Sequence, residues 1–161
     1  MLALIPMEAA AFAEFSEVAS DNYAKDNVAN GRWNASDAPT LAREETKRLL
    51  PEGEKTAENY LFLLRDTDLN VEVGYLWYGT MVRGTKKIAF LYQIYIHAQF
   101  RRRGYGRQTM HAFETEALKS RHNTLALNVS AINTGARRLY EATGYGASSL
   151  MMLKDLQRGD A

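Results

Sequence analysis

The chain contains no cysteine. Disulfides, thiol nucleophiles and thiolate metal sites are excluded, and the composition suits a reducing compartment. Surplus charge is also missing. Twenty Lys and Arg stand against 19 Asp and Glu, a formal net charge of +1, so no bulk field draws nucleic acid or an anionic membrane. No apolar run reaches the roughly 18 residues of a membrane span. Met1 to Met7 is too short for a signal h-region and has no basic flank. The three histidines, His97, His111 and His122, show no metal spacing, and no Gly-x-Ser-x-Gly nucleophile motif occurs. Repeats, low-complexity tracts and linkers are likewise absent. These absences predict a cytoplasmic protein without metal, membrane or nucleic-acid partners.

What is present is a chain of 161 residues with 46% apolar content, enough for one domain, 1–161, with a substantial core. Its most informative stretch is 88–108. Ile88 to Ile96 is uncharged and rich in β-branched and aromatic residues, so it predicts a buried strand. Arg101-Arg102-Arg103-Gly104-Tyr105-Gly106-Arg107 follows, and then Met110, Phe113 and Ala117 mark one face of a helix. A strand, a basic glycine turn and a helix N-terminus make a phosphate site. The first helical turn has unpartnered N–H groups and a positive dipole end. Glycines let the backbone approach closely, and arginines can chelate phosphate oxygens. Position 109 is Thr rather than Gly, so a dinucleotide fingerprint fails. A P-loop fails because no Gly-Lys-Ser/Thr occurs.

Along the rest of the chain, Leu2 to Pro6 predicts a short strand, and Glu8 to Val28 a helix with Phe12, Phe15, Ala19 and Tyr23 on one face. A second helix starts at Ser36 or Asp37, carries Pro39 in its first turn and stops at Leu50 before Pro51. Tyr60–Arg65, Val71–Val82 and Ile88–Ile96 predict three strands joined by turns at Asp66–Asn70 and Arg83–Lys86. A helix over 105–121, a strand over 124–130, a short helix over 136–143 and a last strand over 148–153 complete the order βααβββαβαβ. The final residues, 157–161, predict a frayed end. The fold class is a single-domain mixed α/β sandwich.

Two blocks carry a resemblance. Arg101-x-x-Gly104-x-Gly106, between a strand and a helix, resembles the acetyl-CoA loop of the GNAT family of N-acetyltransferases. Asn133-Thr-Gly-Ala136-Arg-Arg-Leu139-Tyr140-Glu-Ala-Thr-Gly144-Tyr145 resembles that family's Asn-x-x-Ala-x-x-Leu-Tyr-x-x-x-Gly-Phe/Tyr block. The resemblance is firm over 90–145. A looser one, in Gly31-Arg-Trp33 and Leu49-Leu-Pro51-x-Gly53, is to small bacterial members of uncharacterised acceptor.

The resemblance implies a GNAT-like fold and acetyl-CoA as acyl donor, with transfer to a primary amine of a small molecule or protein. It places the pantetheine arm along the backbone of Ile94, Tyr95 and Ile96 and the pyrophosphate on Arg101, Arg102, Arg103, Gly104, Tyr105, Gly106 and Arg107. A pantetheine contact falls to Asn133, whose own chemistry also suits a helix cap. Tyr140 becomes the hydrogen-bond and proton donor to the departing thiolate; on spacing alone it is a core tyrosine. Where many members carry a glutamate base, this chain has Gln93, beside Tyr92, and Asn128. Neither amide accepts a full proton, so the expectation is a water relay at Gln93 and Asn128, with His97 as the titrating alternative. Trp33, Tyr23 and Glu58 are candidate acceptor-lining residues. The missing carboxylates also motivate a second reading, a CoA-binding sensor or partner module with little catalysis. Exposed strand edges are compatible with a homodimer.

Overall fold

The computed structural model describes residues 1–156; the frayed end expected at 157–161 lies outside that range. Five strands form one sheet in chain order. These are β1 (Leu2–Pro6), β2 (Asn59–Asp66), β3 (Val71–Arg83), β4 (Lys86–Ile96) and β5 (Thr124–Leu127). Neighbours from β1 to β4 are antiparallel, and β4 and β5 are parallel. Four α-helices cover the sheet: α1 (Ala9–Ala29), α2 (Ala38–Leu49), α3 (Tyr105–Lys119) and α4 (Thr134–Ala142).

The alternation of side chains along β2 builds the two layers. Phe62 and Leu64 join Val73, Leu76, Tyr78, Ala89 and Leu91 beneath Tyr105, Met110, Phe113 and Ala117 of α3. Leu61 joins Tyr75 and Trp77 on the opposite face, against Met7, Leu50 and the α1 residues Phe15 and Ala19. A smaller cluster of Ala24, Ala38 and Ala42 seals α1 to α2, with Trp33 packed on it. Of the residues that helical spacing marked, Phe15 and Ala19 of α1 and Met110, Phe113 and Ala117 of α3 are buried, whereas Phe12 is half-buried and Tyr23 is exposed.

Two irregularities shape the functional end of the sheet. The β3–β4 register shifts between Trp77 and Tyr78, so that Trp77 pairs with Gln93 while Tyr78 pairs with Leu91 and Tyr92 is left as a bulge. Nearby, β3 and β4 approach so closely at Gly74 that a Cβ there would stand 1.8 Å from the Tyr95 carbonyl oxygen. Only glycine fits at that position.

The expected last strand over 148–153 does not form. Residues 146–156 have no regular structure, and Leu150 to Leu153 are exposed. A strand requires a partner for its backbone groups, and this segment pairs with no strand of the sheet. β5 is also shorter than expected and ends at Leu127 rather than Ser130, because its ladder with β4 stops there. Among the described residues no helix is long and apolar enough to cross a membrane.

Candidate active site

The site begins where β4 and β5 part. Their parallel ladder runs from Ile88–Thr124 to Leu91–Leu127 and no further. β4 continues for five more residues. Gln93, Ile94, Tyr95 and Ile96 pair with β3 on one side, and their other flank faces a gap. Backbone N–H and C=O groups there can receive an extended chain as an extra strand.

The loop after β4 is shaped by two left-handed residues, Arg102 (φ 62°) and Gly104 (φ 84°). Gly104 caps α3 without any side-chain hydrogen bond, and the first helical bond is donated by the Gln108 amide to the Gly104 carbonyl. The amides of Tyr105, Gly106 and Arg107 thus form an open first turn. A Cβ at Gly104 would meet no atom closer than 4.0 Å, so this glycine is required by its backbone angle. At Gly106 a Cβ would lie 3.2 Å from Leu139 Cδ2, so this position is tight and brings the first turn of α3 against α4.

The predicted arginines separate into two pairs. The Arg101 Nε donates to the Ile96 carbonyl at 2.9 Å, and its guanidinium lies 5.4 Å from the Tyr95 ring centre. Arg103 lies over Phe100 at 5.9 Å. These two shape the loop. Arg102 and Arg107 are exposed and form no ion pair among the described residues, which leaves them available to an anion. The Tyr105 side chain turns away from the loop. It is buried, and its hydroxyl donates to Asp66 Oδ2 at 2.6 Å. Tyr105 therefore offers only its amide to a ligand, while its phenol ties the loop to the end of β2.

On α4, Asn133 is the N-cap: its Oδ1 accepts from the Ala136 amide at 3.2 Å. The carboxamide Nδ2 remains as a donor. Tyr140 is half-buried, and its ring centre lies 5.8 Å from that of Tyr145. Burial, with a smaller contribution from the Asp26 charge, pushes its phenol up to about 12. Burial likewise raises Tyr145, whose hydroxyl is enclosed without a hydrogen-bond partner.

Asp26 was not legible as a site residue. It sits near the C-terminus of α1 and lines a cleft of ≈ 210 Å³ with Ala29, Asn30, Ser130, Ile132 and Asn133. The Ser130 hydroxyl donates to the Asn30 carboxamide across this junction. The Asp26 carboxylate is raised by partial burial, although the residue remains open to solvent, and it has no ion-pair partner among the described residues. Nothing in its local sequence marks it, because the cleft joins segments about 100 positions apart.

Other candidates fall elsewhere. The His97 Nε2 lies 3.6 Å from Glu72 Oε1, and its ring packs against Tyr75 and Tyr95, so it is turned toward β3. Gln93 is half-buried on β4, and Asn128 is exposed just past β5. Tyr23 and Trp33 pack on each other, ring centres 5.2 Å apart, at the α1–α2 corner. The Glu58 backbone carbonyl accepts from the Thr80 amide at the far end of β3. The structure does not gather these three at the cleft. Among the described residues no group of three His, Cys, Asp or Glu could hold a metal ion.

Comparisons with known proteins agree with this geometry. The profile of the Acetyltransferase (GNAT) family matches residues 26–145. An uncharacterised N-acetyltransferase, YycN of Bacillus subtilis, is 31% identical over 153 residues, covering 95% of this chain and 97% of YycN. A second from the same organism, YdgE, is 26% identical over 90% of this chain and 92% of its own. The crystal structure of YycN superposes with a TM-score of 0.91 at 30% identity, over 98% of this chain and all of that one. At fold level alone, AAC(6')-Iy, solved with the bisubstrate analogue CoA-S-monomethyl-acetylneamine, superposes with a TM-score of 0.61 at 14% identity, over 98% of this chain and 99% of its own. The parted strands, the open helix turn and the profile match lead to one assignment: the chain belongs to the GNAT family of acetyltransferases.

Proposed function

We propose that the protein moves the acetyl group of acetyl-CoA directly to the primary amine of a cationic acceptor. The observation that carries this reading is the flank of β4 at 93–96 that no strand covers, which leads into the open first turn of α3. The flank suits the amide-bearing pantetheine arm, and the amides of residues 105–107 with Arg102 and Arg107 suit the pyrophosphate. Asn133 Nδ2 is left to donate to a pantetheine carbonyl. Acetyl-CoA supplies a thioester carbonyl as electrophile and a thiol as leaving group.

The residues then divide the work. The ammonium first loses one proton to water; a C–N bond then forms, the C–S bond breaks, and the second proton lost by the amine ends on sulfur. Tyr140 holds its proton far more tightly than a thiol with a pKa of about 8.5 would. It therefore stabilises the leaving thiolate as a hydrogen-bond donor, and the proton that ends on sulfur originates from the amine. No cysteine or activated serine supports a covalent acyl-enzyme, so a single ternary complex is the economical route. Asp26 receives the acceptor's ammonium at the mouth of the cleft. Gln93 and Asn128 cannot accept a full proton, so water carries it away; kcat/KM then climbs toward the acceptor's own pKa. A plateau set by His97 and abolished in His97→Gln contradicts this relay.

Release of CoA thiol, followed with an aliphatic diamine, an aminoglycoside, an amino-acid amide and a neutral arylamine, tests the whole reading. Tight CoA binding without turnover on every amine would favour a binding module instead. Asp26→Asn should lower kcat/KM on the diamine at least tenfold and leave the arylamine rate near wild type. An equal loss on both amines removes Asp26 from acceptor recognition.

A further inference from the structure

The bulge in β4 places a side chain that the transfer chemistry does not use. Leu91 and Ile94 pack beneath α3. Gln93 pairs with Trp77, which faces α1, and Tyr92 stacks on the same Trp77 ring, 4.5 Å between centres at 20°. Two successive side chains therefore leave β4 on the α1 face, as a bulge permits.

Tyr92 has a prepared seat. Trp77 is buried, and its Nε1 donates to Asn59 Oδ1 at 2.9 Å, which fixes the indole. Phe90 meets the edge of the Tyr92 ring at 4.9 Å. A Cβ at Gly79 would stand 2.9 Å from Tyr92 Cε2. Gly79 has no left-handed backbone angle, so its missing side chain makes room for the ring. The outer ring face is open. Tyr92 is 36% exposed, and among the described residues its aromatic contacts are Trp77 and Phe90 alone, with no cation over it. A tyrosine held flat with one face free is a platform for a second ring.

Its position gives the platform a purpose. The last β4–β5 pair is Leu91–Leu127. An arm anchored at the amides of 105–107 and lying along 96 to 93 brings its thioester end to that fork, beside Tyr92. Leu91, Ile94 and Leu127 fill the α3 side of the fork, so the amine arrives from the α1 face, where α1 holds Asp26.

We propose that the acceptor is a primary arylalkylamine, its ammonium directed by Asp26 and its aromatic ring stacked on the open face of Tyr92. This rests on the transfer reading above. The ring sits beside the reacting nitrogen, so the alkyl link between them is short. Tyr92 determines specificity and moves no proton.

Release of CoA thiol with 2-phenylethylamine and with 2-cyclohexylethylamine tests this, since the two share link and ammonium and differ in the flatness of the ring. The wild type should prefer the aromatic amine roughly three- to tenfold in kcat/KM, the scale of one stacked pair. Tyr92→Phe should keep the preference. Tyr92→Leu should bring the ratio near one by raising KM for the aromatic amine, with CoA affinity retained as the check on folding. Gly79→Ala should lower the ratio by displacing the ring. Calorimetry on the CoA complex reads the same ratio in Kd without chemistry. A preference in Kd with no thiol release would overturn the transfer reading and support the platform. Equal treatment of the two amines by the wild type, or a preference that survives Tyr92→Leu, would overturn the platform and leave transfer standing.

Discussion

Tyr140 and Asp66 are perturbed in opposite directions, and each has a measurable consequence. Tyr140 keeps its proton across the neutral range, so it adds no limb to the pH–rate profile below about pH 10. Tyr140→Phe should lower kcat by roughly 100-fold with little change in CoA affinity; an unchanged kcat, in an assay limited by chemistry, returns the residue to packing alone. Asp66 is held down to about 2, first by the Tyr105 hydroxyl and then by the backbone amides of Leu69 and Asp68. Its folded pKa lies below the ordinary value of about 3.9. The linked stability is therefore complete above that value and is lost as pH falls toward 2. Tyr105→Phe should flatten this acid dependence in denaturant titrations between pH 5 and 2.5. At this scale the sequence identified residue types and missed their division of labour. Arg101, Arg102, Arg103 and Arg107 read alike in a basic run, yet two are committed to a carbonyl and a ring. Asp26 was silent because its meaning arises from α1 meeting the β5–α4 loop.

The loop between β4 and α3 is the element most legible in advance, since its apolar strand, glycine spacing and helix face are all local patterns. What locality could not show is that the two glycines serve different needs. Gly104 supplies a positive φ, and Gly106 accommodates Leu139. Gly104→Ala should strain the loop and weaken CoA. Arg102→Ala and Arg107→Ala should each weaken CoA about tenfold or more, the scale of a lost charged hydrogen bond, while sparing pantetheine, which has no pyrophosphate. Isothermal titration with both ligands reads the difference; an equal loss for pantetheine would move the two arginines away from the phosphates. The strand expected at 148–153 failed for a related reason. Its composition suits a strand, but strand formation is decided by the availability of an edge, which a linear pattern does not contain.

At the scale of the molecule, the donor is expected to complete the sheet, so binding and stability are linked. At a CoA concentration 100 times Kd the stabilisation is about 2.7 kcal/mol. For a chain of this length that raises Tm by about 5–10 °C. Differential scanning calorimetry with CoA, pantetheine and ADP should show the largest shift for CoA and smaller shifts for the two fragments. An ADP shift equal to that of CoA would leave the β4 flank without a role. The layered α/β architecture was readable from the order of elements and the spacing of apolar residues, because each helix and strand declares its own buried face.

The parting of β4 from β5 also bears on how freely this site can drift. A grip made by main-chain groups places no demand on the side chains that carry them. Ile94 and Ile96 answer to the core beneath α3, and Tyr95 to the layer beneath α1, so substitutions there are judged by volume and shape. A saturation library over 93–96, sorted separately for folding and for CoA capture, should return two nearly superimposable tolerance profiles. The same library over 104–106 should return profiles that diverge. The chemistry of the donor would then be written in geometry along one wall of the site and in residue identity along the other, and only the second wall resists neutral change.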